Sequence, residues 1–167
     1  MFFVWSEEQH NCPVCEGRLI KYGRRKRKVI LNSGIKVTLK IQRFKCKGCN
    51  KTHHELPDTL VPYKQHQLES IEKVLSTDEG QTIDVPVDDL TIRRWRAWFE
   101  EMIDHFIGCL EAIKFRIKQV VDISRFQSPN SSLQGIYNLV GNGKKWLARV
   151  VRAVANTNNW QQPSLCF

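Results

Sequence analysis

The sequence predicts an α+β protein, in which an N-terminal β-hairpin closed by a metal site precedes an all-α bundle. Three observations support this fold class. Two Cys-x-x-Cys pairs lie near the start of the chain, apolar residues between them alternate with polar ones, and apolar residues further on recur at helical spacing. We place the hairpin domain at residues 1–60 and the helical domain at residues 61–167.

The two cysteine pairs, Cys12 with Cys15 and Cys46 with Cys49, predict one structural Zn²⁺ site. Each pair forms a tight turn that directs two thiolates towards one tetrahedral ion, and four thiolate ligands leave no open position for catalysis. A redox motif would need a βαβ context, and disulfides would need an oxidising compartment; the sequence indicates neither. We leave open whether a nearby histidine replaces a cysteine, packs beside the site or contacts a partner. These histidines are His53 and His54.

The residues between the cysteine pairs predict the two arms of a hairpin. Asn32-Ser33-Gly34 supplies the turn, and from Ile35 to Lys45 apolar and polar residues alternate, which is typical of a strand with one buried face. A hairpin closed by two such cysteine turns is a zinc ribbon. Its first arm carries a basic run that we predict to bind nucleic acid, with a solvated edge strand as the alternative. The run consists of Arg24, Arg25, Lys26, Arg27 and Lys28.

Helical periodicity predicts a helix-turn-helix-like unit at about residues 65–108. One apolar stripe covers about residues 65–76, and a stronger one follows Asp88-Asp89, which can cap a helix. Arginines near a helix N-terminus oppose the helix dipole, but they suit a helix whose N-terminal end approaches DNA. The alternative is an amphipathic core helix that carries arginine at its end. The predicted DNA-binding residues here are Arg93, Arg94 and Arg96.

Further helices are expected towards the C-terminus. We expect the strong helix to continue to about residue 123, a loop at 124–131, and two helices separated by Gly141-Asn142-Gly143. The last helix has a basic side, and we predict nucleic-acid contacts from Lys144 and Lys145, with a solvated surface as the alternative. Cys109 is expected in the core, and Cys166 lies next to the C-terminus.

The charge distribution favours a polyanionic partner. The chain of 167 residues has 26 Lys and Arg against 17 Asp and Glu, a net charge of +9. Residues 1–60 hold 13 basic and 5 acidic residues, 61–108 hold 5 and 10, and 109–167 hold 8 and 2. Two basic segments therefore flank an acidic one, which suits a protein that contacts nucleic acid at separated places.

The composition and apolar runs exclude several classes of protein. A hydrophobic content of 41% excludes a disordered chain, and no apolar run approaches the roughly 20 residues of a membrane span. The first residues lack the basic start of a signal peptide, so we expect a cytoplasmic, nucleoid-associated protein without a membrane partner. The chain is too short for a TIM barrel of about 250 residues.

No catalytic constellation is recognisable in the sequence. The acidic residues cluster at 69–104 instead of spreading over the strands and helix of a two-metal transposase, and phosphate-binding glycine loops and Ser-based motifs are absent. We therefore predict a non-enzymatic protein that binds duplex DNA. The alternative is a module that binds another protein or RNA, and the oligomeric state is left open.

Several short motifs of the chain carry a resemblance to a known kind of domain. They are Cys12-Pro-Val-Cys15, Arg43-Phe-Lys-Cys46-Lys-Gly-Cys49, His53-His54-Glu-Leu-Pro-Asp58, Val61-Pro-Tyr-Lys64, Thr91-Ile-Arg-Arg-Trp95 and Trp146-Leu-Ala-Arg-Val-Val151. With them, about residues 10–160 resemble an uncharacterised four-cysteine domain family that occurs in short proteins associated with insertion sequences. Leu90 stands where we expect a small hydroxyl residue. The N-terminal part is also similar to the zinc ribbons that open some transposases.

This resemblance implies a tetrathiolate metal site at the four cysteines and a mobile-element context, but no activity. With the predicted DNA binding, this context leads us to expect an accessory or regulatory factor that recognises element DNA. A DNA-binding subunit of a transposase complex is the alternative, so a transposase or recombinase is a further candidate partner.

Overall fold

A computed structural model describes residues 2–3, 11–117 and 132–160. Within these residues a small sheet is followed by four α-helices, which confirms the mixed α+β class. The chain divides into two compact units, Met1–Ser70 and Ile71–Phe167. None of the described helices is both long and apolar enough to cross a membrane. The helix predicted to continue to about residue 123 is described as helix up to Arg116, with its C-cap at Ile117. Residues 118–123, the predicted loop at 124–131 and Cys166 lie outside the described residues.

The sheet is built on a long antiparallel hairpin, as the alternating pattern predicted. Strand β2, Leu19–Ile30, pairs with β3, Lys36–Cys46, along most of their length. In the connecting turn, Leu31 N donates to Ile35 O at 2.9 Å, and Gly34 N donates to Leu31 O at 2.8 Å. The φ of Gly34 is +82°, a conformation that glycine adopts without strain.

Two short strands lie beside β3. Strand β4, Thr52–His54, is antiparallel to β3 near the cysteine end, and β1, Phe2–Phe3, is parallel to β3 opposite Leu39 and Lys40. The strand order β1-β3-β2 therefore leaves β2 at an edge of the sheet.

A β-bulge divides the hairpin into two parts. Lys21 pairs with Phe44 and Arg24 pairs with Gln42, so β2 contains one more residue than β3 between these two pairs. The extra length lies at Tyr22 and Gly23. Gly23 has a φ of +108°, and Gln42 Nε2 donates to the Gly23 carbonyl at 2.6 Å. The bulge thus has the glycine and the hydrogen bond that its backbone requires.

On the turn side of the bulge, one face of the hairpin contributes to the core of the first unit. Val29 and Ile41 are buried there, and the same unit buries Leu60 and Val61 in the segment that follows β4. Arg27 lies on this face, and its Nη2 donates to the carbonyl oxygens of Val61 at 2.7 Å and Lys64 at 2.8 Å. Arg27 therefore connects the hairpin to this segment.

Four helices follow the sheet. They are α1, Leu68–Ser76; α2, Asp89–Arg116; α3, Ser132–Val140; and α4, Trp146–Asn156. Asp88 caps α2 as predicted, since its Oδ1 accepts a hydrogen bond from Thr91 N at 2.6 Å. The segment between α1 and α2, residues 77–88, is longer than the turn of about 3–4 residues in helix-turn-helix proteins. The helix-turn-helix character of residues 65–108 stays a prediction.

Aromatic side chains dominate the core of the second unit. Trp95, Trp98 and Phe106 are buried on α2. The ring of Trp146 on α4 lies edge-on to Phe99 of α2, with 5.6 Å between the ring centroids. Such tilted contacts are favourable because the positive edge of one ring meets the negative face of the other.

Polar contacts fix the turn between α3 and α4. Gly141, with a φ of +81°, ends α3 as predicted, and its N–H donates to Tyr137 O at 2.7 Å. The Arg149 guanidinium donates to four carbonyl oxygens of the turn at 2.7–3.2 Å. At the start of α4, the Glu72 carboxylate accepts hydrogen bonds from Lys145 N at 2.8 Å and Leu147 N at 2.9 Å. A carboxylate at a helix N-terminus satisfies free N–H groups and complements the helix dipole.

We expect Glu72→Ala to lower the free energy of unfolding by about 1–2 kcal/mol, because two N–H groups of α4 lose their acceptor. Denaturant unfolding followed by circular dichroism measures the change. Glu100→Ala removes an exposed carboxylate of α2 and is the control, with an expected change within about 0.5 kcal/mol. Equal effects of the two substitutions would contradict the capping role.

Candidate metal centre and basic face

Two equivalent turns present the four cysteines. In the first turn Cys12 N donates to Gly17 O at 2.9 Å, and in the second Cys46 N donates to Lys51 O, also at 2.9 Å. The residue directly after each second cysteine has a left-handed φ, of 59° in one turn and 60° in the other. The same backbone geometry therefore recurs in both Cys-x-x-Cys pairs.

The hairpin brings these two turns together. The first turn leads through Arg18 into β2, and the second follows the end of β3 at Cys46. Leu19 at the start of β2 pairs with Cys46, and Lys47 N donates to Arg18 O at 3.1 Å. Strand pairing thus joins two cysteine pairs that are far apart in the sequence.

The four sulfur atoms form one compact cluster. All lie within 4.8 Å of one another, with 3.6 Å between Cys12 and Cys49 and 3.5 Å between Cys15 and Cys46. A disulfide would bring two sulfurs to about 2.05 Å. A tetrahedral ion bonded to each sulfur at about 2.3 Å would separate them by about 3.8 Å. The cluster therefore fits a single metal ion, as the spacing predicted.

The backbone prepares part of the cluster for the thiolate form. The N–H groups of Cys49 and Gly48 lower the pKa of the Cys46 thiol to about 6, although burial opposes this shift. At Cys15 the N–H of Gly17 lowers the pKa, but the sulfur of Cys46 and burial raise it, to about 11 in total. Neighbouring thiolates thus disfavour one another, and a cation among them would remove that penalty.

Glycine and histidine complete the surroundings of the cluster. A Cβ atom at Gly17 would lie 3.1 Å from the Sγ of Cys46 and 3.2 Å from that of Cys15, so this position has little room for a side chain. His53 on β4 is half-buried, and its Nε2 lies 3.3 Å from Cys12 Sγ. The sequence pattern pointed to His53 without fixing its role, whereas the importance of Gly17 was missed. The spacing could have revealed Gly17, since it is a glycine two residues after the second cysteine of a pair.

The basic run lies within β2, where alternate residues point to opposite faces. Arg25 and Arg27 share the face of Val29. On the other side of the sheet the register gathers six cations of β2 and β3, and we name this set the basic face. Its members are Lys21, Arg24, Lys26 and Lys28 of β2 and Lys36 and Lys40 of β3. Sequence reasoning missed the contributions of Lys21, Lys36 and Lys40, because only strand register places them beside the run.

The arginines predicted at the start of α2 differ in their surroundings. Arg93 and Arg94 are exposed. Arg96 is half-buried; its Nη2 donates to Thr77 O at 2.8 Å, and its Nη1 lies 3.3 Å from a carboxylate oxygen of Glu79. Arg96 therefore holds the loop before α2.

The predicted basic pair of the C-terminal region lies in the turn before α4. Lys144 and Lys145 are both exposed, and Lys145 has a left-handed φ of 65° directly before the helix. The structure therefore brings these two lysines together at the helix N-terminus and not along one side of the helix.

A known protein family matches the first half of the chain. Its model, described as a domain of unknown function (DUF6431), matches residues 12–95. The matched span includes all four cysteines, the hairpin, α1 and the start of α2. No curated protein and no solved structure gives a significant match.

We expect one metal ion per chain, and we expect Cys46→Ser to abolish its binding because it removes one of four clustered ligands. Elemental analysis of purified protein measures the content. Cys109→Ser is the control, since Cys109 lies on α2 and is not among the clustered cysteines. Chelation of the metal should unfold the hairpin region, because metal binding and folding are coupled in such sites. A protein that keeps its metal in the Cys46→Ser variant would contradict this assignment.

Proposed function

The chain belongs to the DUF6431 family, and we propose that it is a zinc-binding, non-enzymatic protein that binds duplex DNA as an accessory or regulatory factor of a mobile element. The observation that carries the DNA proposal is the basic face of the hairpin. Lys26 lies directly opposite Lys40 on that face. A cluster of cations on one face creates a positive potential that attracts a polyanion such as nucleic acid.

The chemistry of the donor set supports zinc as the metal. Soft thiolates select Zn²⁺, Cu⁺ or iron–sulfur clusters, and a tetrahedral set of four sulfurs is typical of structural zinc or an iron–sulfur centre. The Cys-x-x-Cys spacing and the closed arrangement of the cluster agree with structural zinc. Four protein ligands leave no position for a substrate or a water molecule, which supports a non-enzymatic role.

The shape of the hairpin favours duplex DNA over duplex RNA. The major groove of B-form DNA admits a two-stranded β-ribbon, whereas the major groove of A-form RNA is deep and narrow. The basic face lies on β2 and β3, and its end near the turn, with Lys28 and Lys36, extends beyond the residues of β3 that pair with β1 and β4. Its cations would contact phosphates on either side of the groove, a contact that positions a protein without reading sequence.

Residues outside the hairpin would add contacts of two kinds. We propose that the exposed Arg93 and Arg94 reach base edges, and that Lys144 and Lys145 contact phosphates. Arg27 and Arg96 are left out of the proposed contacts, because their guanidinium groups already donate to backbone carbonyls. The mobile-element role rests on the resemblance of the sequence motifs to insertion-sequence proteins. A transposase or recombinase encoded next to this chain would support that role.

The basic face predicts a steep dependence of DNA affinity on salt. Each phosphate contact contributes about −0.9 to the slope of log K against log salt concentration. The triple variant Lys26→Gln, Lys28→Gln, Lys36→Gln should therefore bind all duplexes more weakly and reduce the slope by about 3. Mobility shifts over a salt series measure both quantities.

A variant of equal charge separates a local effect from one of net charge. Lys51→Gln, Lys114→Gln, Arg116→Gln removes three cations that lie outside the basic face and should leave the slope nearly unchanged. Equal losses of DNA affinity and salt slope in the two triple variants would refute the basic face as the DNA-binding surface. Failure of the native protein to bind any duplex at low salt would refute DNA binding itself.

The start of α2 predicts an effect on sequence preference. On a mapped site, Arg94→Ala should lower discrimination against the wrong base by about 1–3 kcal/mol, if one bidentate contact is lost. Binding to a set of single-base variants of that site gives the discrimination. Arg116→Ala, at the opposite end of α2, is the control. A preference that is unchanged in both Arg93→Ala and Arg94→Ala would remove α2 from the proposed interface.

A further inference from the structure

Tyr22 is an exposed aromatic residue placed at the β-bulge. Bulges redirect side chains and are frequent next to functional sites. Tyr22 leaves 53% of its surface exposed, which is unusual for a large aromatic side chain within a sheet. The φ of Gly23 and the hydrogen bond from Gln42 fix the bulge backbone, so Tyr22 is presented from a defined position.

Two cations lie against the ring of Tyr22. The Cζ atom of Arg43 is 5.5 Å from the ring centroid, and the Nζ atom of Lys45 is 5.7 Å from it. Both residues belong to β3, where they are two positions apart and share a face. They therefore contact the ring from one face of β3, and just over half of the surface of Tyr22 stays exposed.

Positive charge accumulates around this ring. His54 of β4 pairs with Arg43, and burial, together with the charges of Arg25 and Arg43, lowers the pKa of His54. In the described part of the chain, Arg25, Arg43 and Lys45 form no ion pair with an acidic residue. The Arg43 Nε is buried and has no hydrogen-bond acceptor among the described residues. This group of cations therefore suits an anionic ligand.

We propose that Tyr22, Arg43 and Lys45 form a binding site for an unpaired nucleotide of single-stranded nucleic acid. An exposed aromatic ring stacks on any base, and cations beside the ring bind the adjacent phosphates. Duplex DNA does not offer this contact, since its bases are stacked on each other.

This second site lies on the opposite face of the sheet from the basic face. This proposal rests on the proposed function only because both assign a nucleic acid as the ligand. Each site is tested by its own variants, so one can be refuted without the other. A protein with both would hold a duplex on one face and a frayed or nicked strand on the other.

Fluorescence anisotropy with labelled oligonucleotides of one unstructured sequence tests the site. The sequence is measured once as DNA and once as RNA, to distinguish which nucleic acid binds. Tyr22→Ala in the full chain should weaken single-strand binding about 5- to 100-fold, the range for one stacked base. Tyr22→Phe keeps the ring and should stay within about twofold. Tyr63→Ala removes another exposed tyrosine of the same unit and should have no effect. Metal content and circular dichroism confirm that each variant is folded.

The expected result includes a duplex affinity that Tyr22→Ala leaves unchanged. Equal losses on single strands and duplex would overturn the proposal, because Tyr22 would then belong to a duplex contact. Equal single-strand affinities of Tyr22→Ala and Tyr63→Ala, or no single-strand binding at low salt, would also overturn it. Duplex binding without single-strand binding would leave the proposed function intact. Single-strand binding without duplex binding would refute that function and support this site.

Discussion

The convergence of four sulfur atoms at one point is the constraint on which the first unit depends. Ionised thiolates at such distances repel each other, and the low pKa of Cys46 means that negative charge is already present near neutral pH. A divalent cation bound by all four sulfurs would offset this repulsion and hold the start of β2 next to the end of β3. The strand register between this end and the bulge follows from where the two arms are held. A hairpin alone is marginally stable in water, so this closure matters for the whole unit.

The two faces of the hairpin divide its roles. One face buries Val29 and Ile41 and uses Arg27 to hold the following segment, whereas the other collects lysines that oppose each other across the strands. Cations of the same run therefore differ in what surrounds them: Arg27 is satisfied by carbonyl oxygens, and Lys26 faces another lysine. Charge counted along the sequence does not separate these cases. The difference arises because side chains alternate in a strand and because only one face is covered.

The hairpin, the cysteine cluster and the cap of α2 by Asp88 could be predicted because each depends on residues at fixed short spacings. The extra members of the basic face could not, since Lys36 and Lys40 join it only through pairing with β2. The bulge was hidden for a similar reason: Tyr22-Gly23 resembles ordinary strand sequence until the register across it is known. The role of Glu72 at the start of α4 depends on packing between segments distant in sequence, which periodicity does not reveal.

The bulge also reconciles two independent registers. The turn sets the pairing of the distal half, the cysteines set that of the proximal half, and the two differ by one residue. On the turn side of the bulge, one extra residue in each arm would move every following side chain to the opposite face of the sheet. The buried face and the basic face of that half would then be exchanged. Two extra residues in each arm would leave the buried face and the basic face where they are. With an unchanged turn, length variation within the two arms is therefore restricted by parity: insertions that keep this architecture should add two residues, or a multiple of two, to each arm.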